Sequence, residues 1–301
     1  MKYLILLLMS LNVFAQPQPC SQTPTCAVES KPGTAMWVWR KTDFAGNLTE
    51  RTKLLNYAIA NGIRTLYLDS ASYLTGSQKP LIDLIEEAAK NCIRVEILVG
   101  SADWYKITNH SIPLNLLVKS LELREKLSAY AKPFLTSFQT DIEPHTLGTI
   151  TQDVALQYYT LHKKLVEATA GTGFTISATM PFWLAQPKAS DDIKLTVNGV
   201  TKSLAYHMID LVDHTIYMTY RDTSSLIEAF GAEELNYGCS VNKKVYFAVE
   251  TICLMPTSLS FCEEGKAAMD AAISKVNSDL SVKPYFGGVA KHHYHELLKW
   301  N

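Results

Sequence analysis

Two carboxylates stand two residues apart in Asp141-Ile142-Glu143-Pro144, directly after the run Phe134-Leu135-Thr136-Ser137-Phe138-Gln139. That run reads as a strand, and residues two apart on a strand point to the same face. Like charges held close push one pKa upward. A carboxylic acid that keeps its proton near neutral pH can act as a general acid. A solvated acidic loop is the competing reading. The choice depends on what else the fold brings to the same strand end.

The elements that must position the pair follow a regular alternation. Short apolar runs recur at Ala35–Trp39, Arg64–Leu68, Arg94–Val99, Phe134–Thr140, Phe174–Met180, His214–Tyr220, Val245–Val249 and Tyr285–Ala290. Helical patterns with apolar residues three and four apart lie between them, at Glu50–Ala60, Pro80–Asn91, Leu114–Tyr130, Val154–Thr169, Ser225–Glu234 and Gly265–Asn277. In the fourth, Leu156, Tyr159, Leu161 and Leu165 mark the expected stripe. Strands alternating with helices imply a parallel sheet. Eight strands over roughly 265 residues fit a (β/α)8 TIM barrel better than an open sheet. Trp39-Arg40-Lys41-Thr42 follows the first strand where a dinucleotide fold would show a Gly-rich turn. Asp191–Ser203 reads as an insertion after the fifth strand, a hairpin turning at Asn198-Gly199 and expected to wall the cleft.

Active sites of such barrels are built at the C-terminal strand ends. Those ends hold Arg40, Asp69, Asp103 with Trp104, Asp141 with Glu143, Met180 with Phe182 and Trp183, Tyr220 with Arg221 and Asp222, Glu250, and His292 with His293. Acids and aromatics dominate. A sugar offers an apolar ring face and hydroxyls, so the mixture suits carbohydrate. Bland readings stand beside the sharp ones. Trp37 and Trp39 suit barrel packing, Arg40 and Arg221 suit pairing with acids, and Asp69 suits capping of the next loop. Trp104 and Trp183 are the better sugar platforms. His293-Tyr294-His295 has metal-pair spacing without an acidic partner motif, and no cysteines show zinc spacing, so no metal or cofactor is expected. No G-x-S-x-G elbow is present.

Composition bounds the rest. The 301 residues are 47% hydrophobic, which marks a globular chain with one large core or two small ones. A formal net charge of -1 argues against a nucleic-acid partner. Residues 1–15 read as a secretory signal, with Lys2, an apolar stretch from Tyr3 to Val13, and Ala15 before the cleavage point. The stretch is short of the ~20 apolar residues of a membrane anchor. Residues 16–34 read as a flexible leader, so the catalytic barrel is expected over 35–301 in a secreted or periplasmic protein. Six cysteines in an exported chain suggest disulfides. Cys20 with Cys26 and Cys253 with Cys262 are near in sequence; Cys92 and Cys239 form a pair or stay as two thiols. Asn47-Leu48-Thr49 and Asn109-His110-Ser111 are glycosylation sequons for a eukaryotic host.

Short motifs resemble the chitinase-like glycoside hydrolases of family 18. Gln139-Thr140-Asp141-Ile142-Glu143 is similar to the end of that family's D-x-x-D-x-D-x-E strand. Met218-Thr219-Tyr220 is similar to its M-x-Y-D, and Gly287-Gly288-Val289-Ala290, with Trp300 later, to its strand-eight pattern. Thr136 and Gln139 stand where the family has acids, and Arg221 replaces the Asp after the tyrosine. The resemblance therefore implies a divergent form. It implies that Glu143 is the proton donor, that Asp141 and Tyr220 orient an acetamido group, and that the substrate's own carbonyl attacks. Glu143-Pro144 also resembles the N-E-P of retaining hydrolases whose nucleophile lies on strand seven, where Glu250 falls, although Ile142 replaces the Asn. That likeness implies Glu143 and Glu250 about 5 Å apart. The expectation is a hydrolase of a polysaccharide or glycoconjugate, with a non-catalytic carbohydrate-binding barrel as the alternative.

Overall fold

The computed structural model describes residues 33–44, 47–185 and 193–300. The residues read as a signal and as a leader, to residue 32, with Cys20 and Cys26, and the first residues of the expected insertion lie outside them. Ten strands occur there. Eight of them, β1 (Gly33–Val38), β2 (Ile63–Asp69), β3 (Arg94–Val99), β4 (Leu135–Thr140), β5 (Thr175–Pro181), β8 (His214–Met218), β9 (Lys244–Glu250) and β10 (Phe286–His292), close into a parallel barrel. Sequential neighbours pair all the way round, and β10 pairs with β1 to shut it. β6 (Lys194–Val197) and β7 (Val200–Ser203) form a separate antiparallel hairpin.

Alternation sorts the strand residues into two cores. Inward-facing Ala35, Trp37, Tyr67, Leu98, Ile216, Ala248 and Ala290 fill the lumen. Outward-facing residues such as Met36, Leu66, Ile97, Phe138 and Phe247 meet the helices. Both faces are apolar because a parallel sheet is covered on both sides. Near the N-terminal end of the lumen, Glu96 accepts from Ser177 at 2.7 Å and meets His214 Nε2 at 3.0 Å. That end of such barrels serves stability.

The helix layer includes α1 (Leu48–Ala60), α3 (Lys79–Lys90), α4 (Ser111–Glu125), α5 (Gln152–Thr169), α6 (Leu204–Leu211), α7 (Ser224–Val241) and α8 (Gly265–Asp279), with short α2 (Ala71–Leu74) and α9 (Tyr294–Leu297) at strand ends. Local chemistry starts them. Asn47 Oδ1 accepts the Glu50 N–H at 3.1 Å, Thr151 Oγ1 accepts from Val154, and Pro80 opens α3. In α5 the buried stripe is Ala155, Tyr158, Leu161, His162 and Leu165, and Leu156 lies 48% exposed. The expected stripe thus mixed two faces, because 156 and 159 sit one residue off the buried row. α6 is only eight residues long, too short for a periodic stripe to mark it in the sequence.

Other expectations shift with packing. β1 begins at Gly33, inside the expected leader, because Thr34 and Ala35 pair with Val289 and Ala290. β8 stops at Met218, and β10 continues to His292. The hairpin turns at Asn198-Gly199, both with positive φ (50° and 79°), as a two-residue turn requires. It packs on α5 and α6, with Gln152 Nε2 donating to Lys194 O and Leu195 buried, so its contacts lie with the outer helices rather than with the strand ends. Cys253 bonds Cys262. Cys92 is disulfide-bonded and Cys239 is a free thiol in the last turns of α7, so the two are not partners.

Candidate active site

Strand β4 delivers the acidic pair. Asp141 N–H donates to Val99 O at 2.9 Å, extending the β3–β4 ladder one step past the strand. This close approach needs Gly100. A Cβ there would stand 2.0 Å from the Asp141 carbonyl oxygen, a distance no side chain permits. Asp141 Oδ1 is buried and without a hydrogen-bond partner. Burial first, then the Glu143 charge, pushes the Asp141 carboxyl up to about 7. Asp141 therefore keeps a proton near neutral pH.

Glu143 is more open, its side chain 33% exposed. Its carbonyl accepts from Thr146 N–H and Oγ1, which fixes the turn Pro144–Leu147. His145 Nε2 lies 3.7 Å from Glu143 Oε1. The His145 ring meets Trp183 edge-on, with centroids 5.4 Å apart. Burial holds the His145 imidazole below its usual value, so it favours the neutral form. Glu143 thus has an open side toward solvent and a walled side of His145 and Trp183.

Glu250 ends β9 almost fully buried. Its Oε1 accepts the N–H groups of Thr251 (2.7 Å) and Ile252 (2.8 Å). His292 is its register partner on β10, and Nδ1 reaches Oε1 and Oε2 at 3.0 and 2.9 Å. Trp39, just past β1, donates its indole N–H to His292 Nε2 at 2.8 Å. Tyr220 lies with its ring 6.2 Å from His292. Burial, then the charges of Glu250, Asp141 and Glu143, raises the Tyr220 phenol well above its ordinary value, so it stays protonated. One phenol therefore feels all three acids.

The remaining candidates have local partners. Asp69 accepts from the Ala71 backbone, and burial raises its pKa. Arg40 is exposed near Asp43. Arg221 Nη1 donates to Tyr220 O at 2.6 Å, and its guanidinium lies 3.9 Å from the Phe230 centroid and 5.2 Å from that of Phe182. Asp222 pairs electrostatically with Arg221. Trp104 packs partly buried on the core, in a turn set against Pro144–Leu147. The fold thus gathers Asp141, Glu143, Tyr220, Glu250, Trp39 and His292, with Trp183 beside them through His145. Arg40, Asp69, Arg221 and Asp222 are engaged at the rim. Sequence reasoning passed over His145 and Gly100. The step from Glu143 through Pro144 to His145, and a glycine at a strand end, were the available signals. Among the described residues, no group of three or more His, Cys, Asp or Glu is arranged to hold a metal ion.

A closed parallel barrel with acids collected at its C-terminal mouth defines the (β/α)8 class. Solved structures share this fold. A GH18 chitinase from Pseudoalteromonas aurantia is similar with a TM-score of 0.51 at 14% identity, over 87% of this chain and 94% of that one. The spore cortex-lytic enzyme SleL of Bacillus megaterium QM B1551 gives 0.52 at 10%, over 87% and 70%. The glycoside hydrolase domain of PgaB (BpsB) from Bordetella bronchiseptica gives 0.51 at 6%, over 89% and 95%. No protein-family model matches the sequence. No curated protein matches it either.

Proposed function

We propose that the chain is an exported glycoside hydrolase acting on a polysaccharide or glycoconjugate, with Glu143 as general acid/base. One observation carries the reading: Asp141, with a buried and partnerless Oδ1, stands two residues from solvent-facing Glu143 at the mouth of the barrel, and burial raises its pKa. Glu143 gives its proton to the leaving oxygen and then takes one from water. Asp141, a buried acid beside it, tunes its charge electrostatically. Tyr220 donates a hydrogen bond from its protonated phenol to the reacting sugar. Trp183 supplies a ring for an adjoining sugar face. Export is supported by the signal-like residues 1–15 and the Cys253–Cys262 disulfide.

The nucleophile distinguishes two mechanisms. A retaining pair needs Glu250 to attack carbon from about 5 Å away. Glu250 Oε1 is already occupied by two backbone N–H groups and an imidazole. This favours substrate assistance, in which an acetamido carbonyl attacks and the substrate is a 2-acetamido sugar. The test is a panel of fluorogenic glycosides, with and without 2-acetamido groups. Wild type should cleave 2-acetamido substrates alone, and Glu143→Gln should lose the rate by about 10²-fold or more. Full activity in Glu143→Gln sinks the proposal. Binding of glycans without turnover favours a carbohydrate-binding barrel, a reading motivated by Gln139 and Arg221 at positions where the family has acids.

A further inference from the structure

Trp39, His292 and Glu250 form a hydrogen-bonded chain whose direction is set by chemistry. An indole nitrogen can only donate. The 2.8 Å contact from Trp39 Nε1 therefore requires a bare lone pair on His292 Nε2. The neutral ring then carries its proton on Nδ1, which donates to Glu250 at 2.9 and 3.0 Å. Glu250 is the acceptor at the end of the chain, held also by Thr251 and Ile252 N–H. The imidazole is boxed in by rings: Trp37, Trp39, Tyr220 and His293 have centroids 5.7, 6.0, 6.2 and 4.8 Å from it. Three adjacent strand ends, β1, β10 and β9, each give one member. None of the three side chains is needed to close the barrel, since backbone ladders do that.

We infer that Trp39 and His292 are positioning residues, which aim the Glu250 carboxylate at Tyr220 and withhold His292 from acting as a base. Its Nε2 lone pair is spent on the indole, so no substrate proton can reach it while the chain is intact. Glu250 then stands fixed by four hydrogen-bond contacts, and the Tyr220 phenol feels it together with Asp141 and Glu143. Preorganised groups of this kind act on the reacting centre without moving during the step. The inference rests on the hydrolase reading for its kinetic part and on hydrogen-bond chemistry alone for its structural part.

Trp39→Phe keeps a ring and removes only the N–H. Nitrogen-15 spectra of the intact wild-type protein should show His292 as the Nδ1–H tautomer, and Trp39→Phe should abolish that single-tautomer signature. With a 2-acetamido substrate, Trp39→Phe should lower kcat about tenfold with KM within about twofold, the loss expected for one hydrogen bond that orients a charged group. His292→Gln, which can still donate to Glu250, should recover more kcat than His292→Leu. An Nε2–H tautomer in the wild type overturns the chain. An unchanged kcat in Trp39→Phe overturns the positioning role while Glu143→Gln still tests the hydrolase reading. A wild type that cleaves nothing overturns the hydrolase reading and the kinetic role together, and the tautomer remains readable.

Discussion

Asp141→Asn is the most informative perturbation, because it removes a titration and little else. The side chain keeps its size, and the buried Oδ1 becomes an amide atom. In the wild type the carboxyl is pushed up to about 7, chiefly by burial and then by Glu143. If the Asp141 proton is needed, kcat/KM should be flat below that pH and fall above it. At one pH unit above the midpoint only about one molecule in ten keeps the proton, so the rate should drop about tenfold per further unit. The asparagine has no proton to lose. Its profile should lack the alkaline limb, at a rate lowered by about 10²-fold at pH 6, the size of a lost acid–base partner. The assay is steady-state hydrolysis of a fluorogenic 2-acetamido glycoside from pH 4 to 9, read as kcat/KM so that free-enzyme ionisation is reported. An alkaline limb at the same midpoint in Asp141→Asn refutes the assignment, and places that proton on another group.

Other consequences follow from the same geometry. Gly100→Ala should displace the Asp141 carbonyl, since its Cβ would fall 2.0 Å from that oxygen; thermal melts should show a loss of about 1–3 kcal/mol or more, with activity lost beyond what that destabilisation explains. Acid lability should set in early. Buried His162 has its pKa lowered to about 4, as has His293, so each binds its proton more weakly folded than unfolded, and stability should fall as pH drops from about 6.5 toward 4. His162→Asn should flatten part of that slope in denaturant titrations, even though it removes the bonds to Thr140 (2.8 Å) and Tyr158 O (2.9 Å). Reduction of Cys253–Cys262 should cost about 2–3 kcal/mol on loop-closure grounds. It should also loosen the segment that Phe261 N–H ties to Glu250 O at 3.0 Å, measured as faster amide exchange at Thr251 and Ile252. Arg221→Ala should destabilise rather than abolish binding, because the guanidinium is stacked on Phe230 and Phe182.

The barrel was legible because period-two and period-3.6 patterns are local: each of the eight strands and six of the helices announces its own type within a dozen residues. The hairpin turn was legible for the same reason, since Asn198-Gly199 is a local conformational demand. The acidic pair was legible as a pair because the two acids stand close in sequence where β4 ends, although both lie past its last residue, Thr140. What local pattern cannot report is which face a partner from a distant strand will meet. Leu156 looked like core and is exposed. Arg221 looked like a rim ligand, and lies against two aromatic rings contributed by segments before and after it. Cys92 and Cys239 looked alike and have different fates.

The division at the site has the same cause. Residue type and spacing alone determined that Asp141 and Glu143 would stand together at a strand end. Only tertiary structure decided which of them would hold its proton more tightly, because that depends on the burial of Asp141 beside Gly100, which is remote in sequence. It likewise decided that Glu250 ends a chain from Trp39 through His292, residues 253 positions apart that meet only because β10 closes the barrel against β1.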